Sequence, residues 1–543
     1  MSARLPALSW VFPVVAIAAA VAVAAASLGN GFAYDDVPLI VENARVTTLL
    51  PPWEYIGQAY WPSGGLYRPL TVWFMALLWK FGGGTPWIFH ATNVALHALA
   101  TGLVYMLARR VLGPPWAALA ALLFAVHPVH VEAVANAVGV SELLCTALVL
   151  ASVLTAMRGI ADGFTPARRL GVIGFGMLAA VSKEQGFVTP ALLLVTAMVG
   201  APPGVQSARK VLPVAGAMAV LLLGLLLLRA SVLGGLAGDE PAAPLRALAP
   251  GARALVALGT VPEWTRLLLW PARLSFDYSP PGYPVATTMG VIHVLAALLL
   301  GACAWLAWVS RVRAPAITLG IAWTAVALLP ISNLILPTGI LLAERTLYLA
   351  SAGAMLAVAG LSERAARWIP SRVVARVALA AIGAIVLVAA ARSAGRARVW
   401  RDNDALLRQV EVEAPNNYRA RRTLARHLDR QGRLEDAARE YRRSITLWGD
   451  DPKVYEDLAI LLDRQGKDSE AVTVLHDGLR VDPEAPTMRS KLYYIEARQG
   501  DWRAARATAS AGLALGDTMF ASLAQQADSA LAAPANPSTP IRQ

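Results

Sequence analysis

The chain has 543 residues, of which 56% are hydrophobic and only 15% charged, and its mean hydropathy is +0.51. Soluble globular chains carry about 25% charged residues, so composition excludes an ordinary soluble enzyme, and equally a disordered chain. The net charge of +12 is unevenly placed: residues 1–400 hold 27 basic and 14 acidic residues, whereas 401–543 hold 21 and 22. That division is expected of a membrane domain followed by a soluble one. The basic excess belongs to membrane loops and not to a nucleic-acid footprint.

In chain order, apolar runs suited to a membrane helix of about 20 residues lie near 8–28, 87–108, 115–128 leading on to 134–138, 141–157, 170–181, 187–200, 211–229, 287–309, 315–336, 341–361 and 373–391. About eleven spans are expected. The first run reads as an uncleaved anchor, being longer than the apolar stretch of a signal peptide. The stretch 69–81 is brief, and 251–272 is broken by Pro262, Glu263 and Arg266; both read as interfacial or re-entrant pieces. With the N-terminus inside, Arg109/Arg110, Arg158/Arg168/Arg169, Arg209/Lys210, Arg311/Arg313 and Arg364/Arg367/Arg372 all fall on inner loops. An odd span count then puts the residues after 392 outside, although Arg392, Arg396, Arg398 and Arg401 locally oppose that. Cys145 and Cys303 sit in apolar runs and offer no disulfide framework. Arginine outnumbers lysine by 42 to 6, a bias that suggests a GC-rich, bacterial genome.

The tail is periodic. Gln-Gly recurs at 431–432, 465–466 and 499–500, with Ala437, Ala471 and Ala505, Leu424, Leu458 and Leu492, and Ser444, Gly478 and Gly512 in step. A 34-residue helix–turn–helix unit with small residues at the helix crossing looks like the tetratricopeptide repeat. Glycine at the turn tolerates positive φ. The expected divisions are 1–392 as the membrane domain (first outer loop 30–68), 393–414 as a linker, 415–527 as about three repeats, and 528–543 as a disordered tail. The expected fold class is all-α: a polytopic helix bundle followed by an α-solenoid.

Ionisable groups in or beside spans are costly and are usually kept for function. Asp35 and Asp36 come just after the first span, His127, His130 and Glu132 end the third, Lys183 and Glu184 lie between the fifth and sixth, and Glu344 and Arg345 start the tenth. In the orientation above, all four groups fall on the outer side. Paired acids offer a general base, and Lys183, Arg345 and Arg68 offer donors for a phosphate whose charge grows as it leaves. The expected site therefore has Asp35 and Asp36 as catalytic residues. Arg68, His127, His130, Glu132, Lys183, Glu184, Glu344 and Arg345 are expected as donor- or acceptor-binding residues. A metal at His127 and His130 is not expected, and Trp53, Tyr55, Tyr60, Trp61 and Tyr67 read as interfacial anchors.

The order of these motifs resembles a family. It runs from Tyr34-Asp35-Asp36 through Tyr67-Arg68-Pro69-Leu70-Thr71, His90 to Ala98, the His127-to-Val134 run and Gly139-Val140-Ser141-Glu142-Leu143-Leu144. It continues through Ser182-Lys183-Glu184-Gln185-Gly186, Ala343-Glu344-Arg345, Tyr348-Leu349 and Arg398-Val399-Trp400 to the repeats. Together, over about 30–500, these resemble the transmembrane and tetratricopeptide-repeat O-mannosyltransferases, which are C-type glycosyltransferases. The resemblance implies a GT-C bundle and an inverting transfer of mannose from dolichyl-phosphate mannose to Ser/Thr hydroxyls of exported proteins. The transfer would take place on the lumenal or outer face. It implies Asp35 or Asp36 as base, with Asp36 preferred, and Glu132, Lys183 and Arg345 lining the donor or acceptor site. No metal or cofactor follows from it.

Family members often carry more than three repeats. In a bacterium, undecaprenol would replace dolichol, and the sugar could be another hexose and the acceptor an envelope glycan. The expected location is then the inner membrane with periplasmic repeats, or, in a eukaryote, the endoplasmic reticulum membrane with lumenal repeats. The expected partners are the polyprenyl-phosphate sugar, the acceptor, the bilayer and a protein bound by the repeats, with no nucleic acid. The alternatives are a membrane-anchored scaffold for envelope assembly and a lipid-linked glycan ligase.

Overall fold

A computed structural model describes residues 10–62, 64–200, 204–235, 241–246, 248–369 and 371–532. Among these residues the chain is all-α, with one isolated antiparallel bridge between Pro281 and Asn417. The chain forms two compact units, Met1–Ser275 with Val285–Gln409, and Phe276–Pro284 with Val410–Gln543.

The first unit contains α1 (Val11–Ala24), α2 (Ala44–Thr47), α3 (Pro69–Gly82), α4 (Pro86–Ala108), α5 (Pro114–Val126), α6 (Val131–Ala135), α7 (Val140–Asp162), α8 (Pro166–Ser182) and α9 (Thr189–Val199). It continues with α10 (Val205–Leu233), α11 (Pro250–Gly259), α12 (Val261–Leu269), α13 (Val291–Ser310), α14 (Pro315–Leu328), α15 (Tyr348–Ala366), α16 (Arg372–Ala397) and the first residues of α17 (Asn403–Glu413). Proline stands in the first turn of many of them, where the missing amide hydrogen costs nothing.

Each of the eleven expected runs holds a helix, but six helices among the described residues are long and apolar enough to cross a membrane. A seventh is counted if α5 and Pro128–Ala135, bent by 47°, form one span. Val11–Ser27, Glu184–Val199 and Pro315–Ile331 are shorter apolar helices. Two runs are interrupted locally by 3₁₀ turns carrying polar residues, at Pro128–His130 and Glu184–Val188. The stretches expected as interfacial, 69–81 and 251–272, form α3 and the pair α11–α12, all too short to cross.

α7 and α15 are buried along most of their length, whereas α13 and α16 turn Leu298, Trp305, Leu379 and Leu387 outward. A contiguous exposed apolar face of this kind suits lipid. α14 and α15 touch backbone to backbone: a Cβ built on Gly353 would lie 2.6 Å from Gly320 O and 2.8 Å from Thr324 N. Residues 393–414, expected as a linker, are mostly helical, with Ser393, Ala397 and Trp400 buried.

In the second unit, α18 (Tyr418–Arg430) pairs with α19 (Leu434–Leu447), α20 (Pro452–Arg464) with α21 (Asp468–Val481), and α22 (Pro486–Arg498) with α23 (Trp502–Ala514). Gly432, Gly466 and Gly500 adopt φ of 77°, 70° and 80°, the left-handed turn the Gln-Gly spacing requires. Ala437, Ala471 and Ala505 are fully buried at the helix crossings. A Cβ on Gly478 would lie 2.8 Å from Tyr455 Cβ, so only a minimal residue fits there. A closing helix, α24 (Met519–Ala532), takes up the first residues of the expected disordered tail; the rest of that tail lies outside the described residues.

Candidate active site

The site is built from the segments just past the helix ends of the first unit. α5 stops at Val126 because Pro128 breaks the amide ladder. α8 stops at Ser182, where Lys183 turns extended, and Ala343 is extended before the 3₁₀ turn Glu344–Leu347. These breaks aim charged side chains into a common interior.

Glu132, in α6, accepts from the Arg345 backbone N at 2.9 Å and from its Nη1. Glu142, in the first turn of α7, pairs with Lys183 Nζ and lies 3.8 Å from Arg345 Nε. Ser141 Oγ donates to the other Glu142 oxygen at 2.6 Å. Arg68, just before α3, grips Glu184 through Nε and Nη2, the shortest bond being 2.8 Å, and stacks 4.8 Å over the Tyr60 ring. The charges of Arg68, Glu142, Asp35 and Arg345 all act on the buried Tyr60 hydroxyl. Four segments far apart in sequence thus meet in one polar chamber. Burial lowers the Lys183 pKa, and the opposing pull of Glu142 does not restore it.

The two aspartates differ. Asp36 is buried, its Oδ2 accepting from Ala33 N at 3.0 Å and its Oδ1 from Val138 N at 2.9 Å. Burial pushes its pKa up to about 7 against the pull of those backbone donors, with a smaller push from Asp35. Asp35 is half-buried. It comes directly after Tyr34, whose φ of 53° is a left-handed conformation costly for a tyrosine. That conformation is held by bonds from Tyr34 N to Asn403 Oδ1 at 2.7 Å and from Gly31 N to Arg401 O at 2.8 Å.

The structure brings Arg68, Glu132, Lys183, Glu184 and Arg345 together. It engages the remaining expected residues elsewhere. His127 Nδ1 accepts from Val129 N and its Nε2 donates to Leu268 O at 3.1 Å. His130 Nε2 meets Ser351 Oγ at 2.7 Å, beside Tyr348 and His97. Both histidines pack α12 and α15 onto the break after α5. Glu344 accepts from Ser275 N at 2.6 Å. Among the described residues, no group of three or more His, Cys, Asp or Glu side chains could hold a metal ion. Glu142, the hub between Lys183 and Arg345, is absent from the expected site residues, although it stands in the Gly139–Leu144 motif that contributes to the resemblance.

Known proteins share the sequence around these residues. The family described as dolichyl-phosphate-mannose-protein mannosyltransferase matches residues 67–228. The protein O-mannosyl-transferase TMTC4 of Mus musculus is 29% identical over 487 residues, covering 77% of this chain and 64% of the relative. The protein O-mannosyl-transferase Tmtc2 of Drosophila melanogaster is 34% identical over 282 residues, covering 48% of this chain and 30% of the relative. The chain is thus similar to members of the transmembrane and tetratricopeptide-repeat O-mannosyltransferase family. It spans less than two thirds of the length of these family members. Among solved structures, the Archaeoglobus fulgidus oligosaccharyltransferase, tethered to an acceptor peptide, aligns with a TM-score of 0.39 at 14% identity, covering 72% of this chain and 55% of that one.

Proposed function

We propose that the protein moves mannose or another hexose from a polyprenyl-phosphate donor to a Ser/Thr hydroxyl of exported proteins, or to a hydroxyl of an envelope glycan. The observation that carries this reading is the convergence of Arg68, Lys183 and Arg345, each with its own carboxylate, around the loop that bears Asp35. Buried cations held by partners are charged and oriented before any ligand arrives, which suits a phosphate that gains charge as it departs.

Asp35 acts as the base. Asp36 is spent on two backbone amides, whereas Asp35 sits half-buried on a strained turn beside the cations. The Asp35 carboxylate takes the proton of the acceptor hydroxyl. The hydroxyl oxygen attacks the anomeric carbon from the face opposite the phosphate, the new C–O bond forms, and the bond to phosphate breaks with its electron pair. The sugar inverts, and Arg345, Lys183 and Arg68 stabilise the departing phosphate.

The helix pattern supports an outer location. Between one site loop and the next lie α4–α5, α7–α8, α9–α10, α13–α14 and α15–α16 in turn. The basic clusters from Arg109/Arg110 to Arg364/Arg367/Arg372 occupy the opposite ends of those hairpins, as the positive-inside rule expects of a cytoplasmic face. This arrangement supports a reading with eleven crossings and the site loops on the outer side. The reading is tested by mass spectrometry of exported proteins from a deletion strain complemented with wild type or with Asp35→Asn. Loss of a hexose from Ser/Thr in the deletion, restored by wild type alone, is expected; restoration by Asp35→Asn would overturn the assignment of the base.

A further inference from the structure

The second unit contains a segment that its sequence position does not foretell. Phe276–Pro284, from the long connection between α12 and α13, packs with the repeats. Phe276, Tyr278 and Ser279 are buried there. Asn417 Nδ2 donates to Asp277 O at 3.1 Å, to Asp277 Oδ1 at 3.0 Å and to Ser279 O at 3.2 Å. Tyr418 N donates to Pro280 O at 3.3 Å, and Arg419 Nε lies 3.7 Å from Asp277 Oδ2. Pro281 and Asn417 form the antiparallel bridge. The segment is thus held largely through its main-chain carbonyls, at Asp277, Ser279 and Pro280, by the start of the first repeat.

We propose that Phe276–Pro284 is the docking strap of the repeat domain, a loop of the membrane portion that the first repeat binds as a peptide in cis, with Asn417 as the latch. Asn417 has a double duty. Its Oδ1 accepts from Ala420 N at 3.0 Å and caps α18, while its Nδ2 clasps the strap. Only an amide carries both an acceptor and a donor in that space. Aspartate would keep the cap but lose the donor and set a negative charge against Asp277.

The strap also constrains topology. Two segments in hydrogen-bond contact lie on one side of a bilayer, so the chain crosses an even number of times between Pro284 and Val410. α13, α15 and α16 have the length to cross, so a fourth crossing is required, and Pro315–Ile331 supplies it despite being short.

The proposal is independent of the transfer reading, and its test uses the full chain in membranes. A Cβ on Gly282 would lie 3.8 Å from Asn417 Cβ, within disulfide range. Gly282→Cys/Asn417→Cys is expected to form a disulfide under mild oxidation, detected as a linked peptide, whereas Gly282→Cys/Gly449→Cys is not. In Asn417→Asp, hydrogen exchange over 276–284 is expected to rise at least tenfold while α18 keeps its protection. Single cysteines at the exposed positions Gly282 and Asn416 are expected to react with a membrane-impermeant maleimide from the same side of sealed vesicles. Failure of the disulfide while both thiols remain reactive, unchanged exchange in Asn417→Asp, or labelling from opposite sides would each overturn it.

Discussion

Asp36→Ala removes two acceptors at once. Ala33 N and Val138 N both point at its carboxylate, and both residues are buried. A buried donor left without a partner costs about 1–3 kcal/mol, so the pair costs about 2–6 kcal/mol. Asp36→Asn keeps one oxygen and turns an N–H toward the other donor, so about 1–3 kcal/mol is expected. Asp35→Asn leaves both of those bonds intact and should change stability by less than about 0.5 kcal/mol, as partly exposed substitutions usually do. The assay is thermal unfolding in detergent alongside hexose transfer to an acceptor peptide. The expected pattern is a lowered Tm for both Asp36 variants, and for Asp35→Asn a wild-type Tm with transfer abolished. A wild-type Tm with no transfer in Asp36→Asn, together with active Asp35→Asn, would reverse the two roles and refute the reasoning.

The raised pKa of Asp36, about 7 against an ordinary 3.8, has a sign that can be checked. Between about pH 4 and 7 the folded chain holds a proton that the unfolded chain has released, so stability falls as pH rises through this window by up to about 1.4 kcal/mol per unit; Asp36→Asn should flatten that part of a Tm–pH profile. Glu142→Gln strands Lys183 in the interior and should cost about 3–5 kcal/mol. Glu142→Gln/Lys183→Met should recover most of the Tm but not transfer, and equal Tm in both variants would contradict the pairing. Gly353→Val drives a side chain into the α14 backbone and should lower stability by about 1–3 kcal/mol or more, seen as a drop in Tm. An unchanged Tm would mean that the two helices are not in backbone contact.

Much of this was legible in the sequence because two periodicities are strong. Apolar runs marked the helices, and the 34-residue spacing of Gln-Gly marked the repeats. The site was legible as charge flanking apolar runs, which named Arg68, Glu132, Lys183, Glu184 and Arg345. Glu142 stood in the Gly139–Leu144 motif but received no role, because it lies within an apolar run and not at its edge. The choice between Asp35 and Asp36 turns on an amide at Val138, which no local pattern reveals. His127 and His130 looked like site residues because they end an apolar run, but their partners are Leu268 O and Ser351 Oγ, contacts that only tertiary structure supplies.

The strap bears on how the protein can be taken apart. A fragment ending before Val410 would leave Phe276 and Tyr278 bare to water, inviting aggregation that has nothing to do with loss of chemistry. A fragment starting at Val410 would lack the peptide its first helix grips, and should gain solubility and cooperativity when a synthetic 276–284 is added. Dissecting this chain by a single cut therefore damages both halves, and an inactive truncation says little about which half does the work.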